Sequence, residues 1–305
     1  MEKVFLPVAL FASSVIMTLG LFPALPGAKR LNRGKSAIEM GRKYETGILH
    51  LEHPGIANVH NAFLKVLEND EMISKAMSEV RLSLLVYVTN NISGAVTASD
   101  MSRYVGETYS RTWDEIVGQR DFDKKCTVLG EGVGGTNVLS LDALVSKHAP
   151  DVLYTPSSSH LNINIGNADK SGKSLHVEQY GGEFTKAYLD TDVSYHFLDQ
   201  AGAALPTYHK VAVGGTFDRI HHGHKKLLTF ASILCTEELT VGVSGDALLQ
   251  NKVGAHLIAP QEKRMAAVEE FIRGFYPSLA LNVVPLDDPF GPTVTDGSIE
   301  AIVVS

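Results

Sequence analysis

Three histidines stand within four residues of one another in Gly214-Gly-Thr-Phe-Asp-Arg-Ile-His-His-Gly-His224, with Lys225 and Lys226 directly behind them. Imidazole and ammonium groups donate hydrogen bonds to anions, and a chain of phosphates can use several such donors at once. His221 and His224 are three apart, so a helix sets them side by side on one face near its start. A helix start suits this chemistry because its first amide N–H groups lack intrahelical partners and its dipole favours negative charge. Two donors there can hold a triphosphate and stabilise the charge that builds on an α-phosphorus under attack. Thr216, just after the glycines, is placed to hydrogen-bond an incoming phosphate, and Gly214 and Gly215 let backbone come close to a nucleotide. Asp218 reads as a residue that fixes the loop rather than as a base. Zinc is disfavoured, since adjacent histidines splay apart on a helix and no paired cysteine or acidic ligand stands nearby in sequence. The pattern G-x-x-x-x-G-K-[ST] of a P-loop is absent from this stretch.

The elements that must position these groups follow from periodicity. Residues 211–213 read as a short apolar strand that breaks at Gly214 and Gly215, and residues 219–234 as a helix with an apolar face. Residues 239–243, 281–284 and 299–304 read as strands, and residues 260–273 as a helix starting at or just before Pro260. Apolar strands separated by helices predict an α/β unit over residues 208–305. Its core is a doubly wound, Rossmann-like parallel sheet with ligands beyond the C-terminal ends of the strands. Arg264, in the second helix, reads either as a solvated helix charge or as a basic residue of the site.

Upstream, residues 61–80, 101–109 and 138–147 carry helical spacing, while 82–88, 126–129 and 151–154 read as strands. They predict a smaller α/β region over residues 29–155, of unassigned function. Gly130-Glu-Gly-Val-Gly-Gly135 matches the dinucleotide pattern G-x-G-x-x-G. That motif needs an acidic residue about 20 positions on, at the end of the next strand. Asp151 instead lies at the start of that strand, which favours a structural turn. Residues 156–207 are rich in Ser, Asn and Gly and read as a linker.

Across 305 residues the net charge is -7, so no general nucleic-acid footprint exists and any basic site must be local. The two cysteines make neither a disulfide framework nor a four-thiolate metal site, which fits a reducing compartment. Residues 4–28 are uncharged and mostly apolar, and Lys29, Arg30, Arg33 and Lys35 follow at once. Length and flanking charge allow a membrane anchor in residues 1–28 that leaves the rest facing the cytoplasm. A cleaved signal peptide and a buried core segment stay open as alternatives.

The order D-x-x-H-x-G-H from Asp218 to His224 resembles the signature of the nucleotidylyltransferase superfamily. From about residue 209 to 305 the chain is similar to phosphopantetheine adenylyltransferases of eukaryotic type, including the adenylyltransferase domain of bifunctional coenzyme A synthase. The matching residues include the histidine motif, Leu248-Leu-Gln-Asn-Lys252 and Pro285-Leu-Asp-Asp-Pro-Phe-Gly-Pro292. The resemblance implies transfer of AMP from ATP, with Mg2+, to 4'-phosphopantetheine, releasing pyrophosphate and giving dephospho-coenzyme A. It implies that His221 and His224 bind the ATP phosphates, and that Thr216 and Lys252 contact the pantetheine phosphate and the reacting α-phosphate. It also implies that Gly214, Gly215 and Phe217 line the nucleotide site through their backbone. Members of that family continue past the strand that ends here at Ser305, into an arginine-bearing loop, a further strand and a serine/threonine-rich motif. The expectation is therefore an incomplete domain with an uncovered sheet edge. Another nucleotidylyltransferase, such as a cytidylyltransferase, or a catalytically impaired homologue acting as a binding protein, is the alternative.

Overall fold

The computed structural model describes residues 4–7, 42–55, 59–90, 96–131, 138–158, 174–181, 207–250 and 252–304. The chain enters as a short strand, β1 (Val4–Pro7). An N-terminal unit follows: β2 (Tyr44–Glu52), α1 (Val59–Glu79), β3 (Val80–Thr89), α2 (Ala98–Gln119), β4 (Lys125–Gly130), α3 (Leu141–His148), β5 (Val152–Pro156) and β6 (His176–Tyr180). The C-terminal unit comprises β7 (Tyr208–Gly215), α4 (His222–Leu234), β8 (Cys235–Ser244) and the short α5 (Asp246–Leu249). It continues through α6 (Gln261–Phe275), β9 (Ala280–Leu286), α7 (Pro292–Thr295) and β10 (Ala301–Val304).

Each unit forms a five-stranded sheet, ordered β4-β3-β2-β5-β6 and β1-β10-β7-β8-β9. Every pairing in both is parallel. In each sheet the chain runs outward on one side of a central strand, β2 or β7, and then crosses to the other side. That reversal opens a crevice at the C-terminal ends of the strands, the usual ligand position in such sheets. The doubly wound parallel α/β sheet expected for residues 208–305 is present, and the N-terminal region repeats the same winding.

Alternation fixes how β7 sits. Val211 and Val213 point into a core shared with Leu228, Leu234, Val241 and Val243, while Ala212 faces a smaller cluster with Ile299 and Ile302. The larger core runs without a break through both units. Tyr109 and Ile116 of α2 belong to it together with Leu227, Phe230 and Ile233 of α4. A Cβ on Gly130, at the end of β4, would lie 2.7 Å from Val105 Cγ2 of α2 and 3.0 Å from Ile233 Cδ1 of α4, so an added methyl at this junction requires a neighbour to shift. Two units that read as separate domains thus share one interior.

Several expectations change. β2, the central strand of its sheet, is not evident in the sequence because Thr46, His50 and Glu52 interrupt its apolar run. Buried His50 is satisfied from both sides, Nδ1 lying 3.0 Å from Thr155 Oγ1 and Nε2 2.8 Å from Thr89 Oγ1. The expected helix at 101–109 is more than twice as long, running over 22 residues. Thr97 and Asp100 close a reciprocal capping box at its start, and buried Thr112 and Ile116 carry it to Gln119. Residues 176–180, expected as linker, form β6, an edge strand whose largely unburied face hides the usual apolar alternation.

At the N-terminus, residues 4–7 of the apolar run form β1, parallel to β10. The edge of β10, expected to be uncovered, is therefore paired. The rest of the anchor expectation, residues 8–28, lies outside the described residues. No helix among the described residues is long and apolar enough to cross a membrane. Asp151 accepts the amide N–H groups of Glu45 and Thr46 at 2.9 and 2.8 Å, tying the starts of β2 and β5 together. Residues 132–135 of the glycine motif lie outside the described residues.

Candidate functional site

The sequence places the helix start at residue 219; α4 instead begins at His222, with His221 as its N-cap in extended conformation. Arg219 cannot extend the helix because its φ of 46° lies in the left-handed region, as does that of Phe217 at 51°. Each costs on the order of 1 kcal/mol or more for a residue with a side chain, and such strain concentrates at functional loops. β7 also runs further than expected. Gly214 and Gly215 still pair with Gly242 and Val243 of β8, and the turn follows them.

At the N-cap, His221 Nδ1 accepts the amide N–H of His224 at 3.4 Å. An accepting Nδ1 on a neutral imidazole leaves the proton on Nε2, which is then a free donor for an anion. The two rings stack with centroids 3.8 Å apart. A Cβ at Gly223 would come within 3.1 Å of the His221 ring, so glycine between the histidines keeps that ring in place. Beneath the pair lies fully buried Phe217, its ring 5.2 Å from His224. Phe217 thus supports His224 with its side chain, while Gly215 has its missing Cβ directed at the Phe217 ring.

Lys252, in the segment after α5, donates to Thr216 Oγ1 at 3.0 Å. Thr216, Lys252, His221 and His224 therefore converge beyond the C-terminal ends of β7 and β8. Asp218 accepts the amide N–H of Ala259 at 3.0 Å, which fixes the loop as its spacing suggested. Among the described residues no group of three His, Cys, Asp or Glu could hold a metal ion.

Arg264 is the residue the sequence left ambiguous, and the structure makes it interior. Only 2% of it is exposed. Its guanidinium donates to three backbone carbonyls, those of Ala259 at 2.8 Å, Thr216 at 2.6 Å and Ser244 at 2.8 Å. These belong to the segment before α6, the loop after β7 and the end of β8, so one side chain clamps three walls of the site. The solvated-charge expectation is overturned. A signal existed: Arg264, Val268, Phe271 and Ile272 fall four, seven and eight apart, on the buried face of α6. Gln261 was missed altogether; its amide donates to Val243 O at 2.9 Å.

His222, Lys225 and Lys226, expected among the phosphate donors, face the other way. The His222 ring sits 5.9 Å from Tyr109 and 5.3 Å from Trp113, both on α2. Lys225 Nζ donates to Cys126 O at 2.8 Å and Thr127 Oγ1 at 2.9 Å on β4. Lys226 lies against Gly106 of α2. Adjacent positions on a helix diverge by about 100°, which turns Lys225 away from His224, while His221 escapes helical alignment with Lys225 because it is the extended N-cap.

Burial holds His224 at a pKa of about 4, helped by neighbouring His221 and Lys252, and lowers His221 as well, against the opposing pull of Asp218. The same burial holds His222, His50 and His53 at about 4. All five are neutral in the folded protein at neutral pH, whereas an unfolded histidine protonates near 6.5. Between those values the unfolded chain binds more protons, so stability is full above about pH 6.5 and falls as pH drops toward 4. The midpoint of thermal unfolding should therefore fall steadily between pH 7 and 5; a constant midpoint would contradict this.

Residues 212–283 match the cytidylyltransferase-like family. The cytidylyltransferase-like segment contains the whole loop from β7 into α4, Lys252 and Arg264. Over 98 residues, 32% of this chain and 32% of the relative, the chain is 44% identical to a phosphopantetheine adenylyltransferase of Saccharomyces cerevisiae. Archaeal relatives of the same name come from Methanopyrus kandleri, 40% identical over 33% of this chain and 63% of the relative, and from Methanothermobacter thermautotrophicus, 45% identical over 32% and 57%. The chain spans about a third of the length of the yeast relative and under two thirds of the archaeal ones. No solved structure matches.

Proposed function

We propose that the C-terminal unit transfers AMP from ATP to 4'-phosphopantetheine. A phosphate oxygen of the pantetheine attacks the α-phosphorus of ATP, a new P–O–P link forms, and the bond to the β-phosphate breaks to release pyrophosphate. The product is dephospho-coenzyme A. The observation that carries this reading is the meeting of Thr216, Lys252, His221 and His224 at the crevice of a parallel sheet, within a segment similar to enzymes of that name.

Such a transfer needs little covalent help; positioning and charge stabilisation supply most of the rate. His221 Nε2–H and His224 hold the ATP phosphates over the N-terminus of α4, whose dipole adds to the attraction. Being neutral, the imidazoles donate without surrendering a proton. Lys252 and Thr216 sit within a hydrogen bond of each other and bridge the incoming phosphate to the α-phosphate. Gly214, Gly215 and the backbone of Phe217 form the floor of the nucleotide site. Magnesium enters with ATP as part of the substrate.

An acceptor panel tests the assignment. With MgATP, pyrophosphate release should depend on 4'-phosphopantetheine and not on nicotinamide mononucleotide or phosphocholine. Lys252→Met should raise the KM for phosphopantetheine about tenfold or more, as loss of a charged hydrogen bond of about 1.5–3 kcal/mol requires. Turnover with a different acceptor would replace the reading with another nucleotidylyltransfer. Binding of ATP without turnover would make the chain a binding protein.

A further inference from the structure

Positions 222, 225, 226 and 229 are spaced three and four apart and form one face of α4. Each meets the N-terminal unit. His222 lies against Tyr109 and Trp113, and its buried Nε2 has no hydrogen-bond partner among the described residues, so ring packing is its contact with α2. Lys225, mostly buried, directs its ammonium to Cys126 O and Thr127 Oγ1 on β4. The stem of Lys226 lies over Gly106, where an added Cβ would come within 3.1 Å, and its ammonium interacts with Glu107. Thr229 Oγ1 lies 3.4 Å from both Tyr109 OH and Val128 O. A separate face of the same first turn carries the stacked His221 and His224.

We propose that the N-terminal unit is the positioning device of the histidine motif, with Lys225 as its principal anchor. The first turn of α4 is gripped on one face by α2 and β4, and on another it presents the two phosphate donors. His222 adjoins His221 in sequence, so a shift of its ring between Tyr109 and Trp113 moves the N-cap itself. His224 follows, because it shares both a ring stack and an amide hydrogen bond with His221. Misplacement of reacting groups by about 1 Å can cost on the order of a hundredfold in rate, so a small movement suffices. This role gives residues 42–181 a function in the adenylyl transfer proposed above, on which its kinetic arm rests. Lys225, His222 and Trp113 touch no reacting atom in this scheme and are positioning residues.

The test uses the full chain with two readouts. The imidazole Cε1–Hε1 resonances of His221 and His224 are assigned by His221→Gln and His224→Gln and followed in Lys225→Met, Lys225→Arg and Trp113→Ala. Lys225→Met should move both resonances while exposed His209, at the far end of β7, stays in place; Lys225→Arg, which keeps a charged donor, should restore them. In parallel, the KM for ATP should rise about tenfold in Lys225→Met with the KM for phosphopantetheine unchanged, the pattern expected when one substrate's donors are displaced. Trp113 is 43% exposed. Trp113→Ala therefore leaves the core intact and should move the same resonances even where Lys225→Met does not fold. Unmoved His221 and His224 resonances in folded Lys225→Met or, failing that, in Trp113→Ala overturn the proposal. Absence of dephospho-coenzyme A from the unsubstituted chain would instead overturn the adenylyl-transfer reading and leave the resonance test standing.

Discussion

Replacing Arg264 with Met should lower the unfolding free energy by about 3 kcal/mol or more and abolish nucleotide transfer. A hydrogen bond to a charged donor contributes about 1.5–3 kcal/mol, and a buried acceptor left without a partner costs its full desolvation. Arg264 supplies three such bonds, to carbonyls of Ala259, Thr216 and Ser244. The contributions do not simply add, because the loop relaxes once the clamp is gone. Relaxation is the functional consequence: Thr216 O is held by the guanidinium while Thr216 Oγ1 meets Lys252. Arg264→Lys retains the charge but not the planar fork, and should recover only part of the stability and little of the geometry. Denaturant unfolding measures the first effect. A loss under about 1 kcal/mol for Arg264→Met would show that the three carbonyls find other partners.

The second large effect falls on rate rather than stability. His224→Ala should reduce kcat for AMP transfer by about 10²–10³, the scale seen when one preorganised donor to a developing charge is removed. His224 is only partly buried, and its Nδ1 has no hydrogen-bond partner among the described residues, so its removal breaks none of their bonds at that atom. The fold should survive, with Phe217 left exposed beneath the gap. Single-turnover transfer, with circular dichroism to confirm folding, decides the matter. A folded His224→Ala variant retaining more than half of the rate would remove His224 from the proposed chemistry.

The clarity of the C-terminal unit in the sequence, and the obscurity of much else, have physical causes. Strands β7, β8 and β9 each carry a mostly apolar stretch closely followed by glycine or proline, and the histidine motif marks the turn between a strand and a helix. These are local signals. Partners across the fold are not local. Lys225 and Lys226 look like phosphate donors by spacing alone, yet helical geometry turns them toward β4 and α2. β2 is concealed because His50 and Glu52 are polar residues in the interior. His50 is matched by threonines on neighbouring strands, and Glu52 by Lys65 at 2.9 Å. The strand at the edge of β10 comes from residues 4–7, nearly 300 positions away, which no periodicity could reveal. Arg264 was within reach, since a charge in register with Val268 and Ile272 on the buried face of a helix must have interior acceptors.

The neutral state of the histidines also distinguishes this site from a simple cationic trap. A phosphate held only by charge would bind more tightly as histidines protonate. Here protonating His221 would abolish the acceptor that Nδ1 offers to the His224 amide, and with it the N-cap of α4. The ring stack and the helix start are therefore kept together in the same pH range in which the fold is stable.

The most direct measurement is product formation. The full chain, MgATP and 4'-phosphopantetheine are incubated together, and dephospho-coenzyme A is quantified by mass spectrometry beside the pyrophosphate released. The account predicts one pyrophosphate per dephospho-coenzyme A, with both products lost in His221→Ala/His224→Ala. No dephospho-coenzyme A from a folded chain that binds ATP, or equal amounts from the double variant, would contradict it.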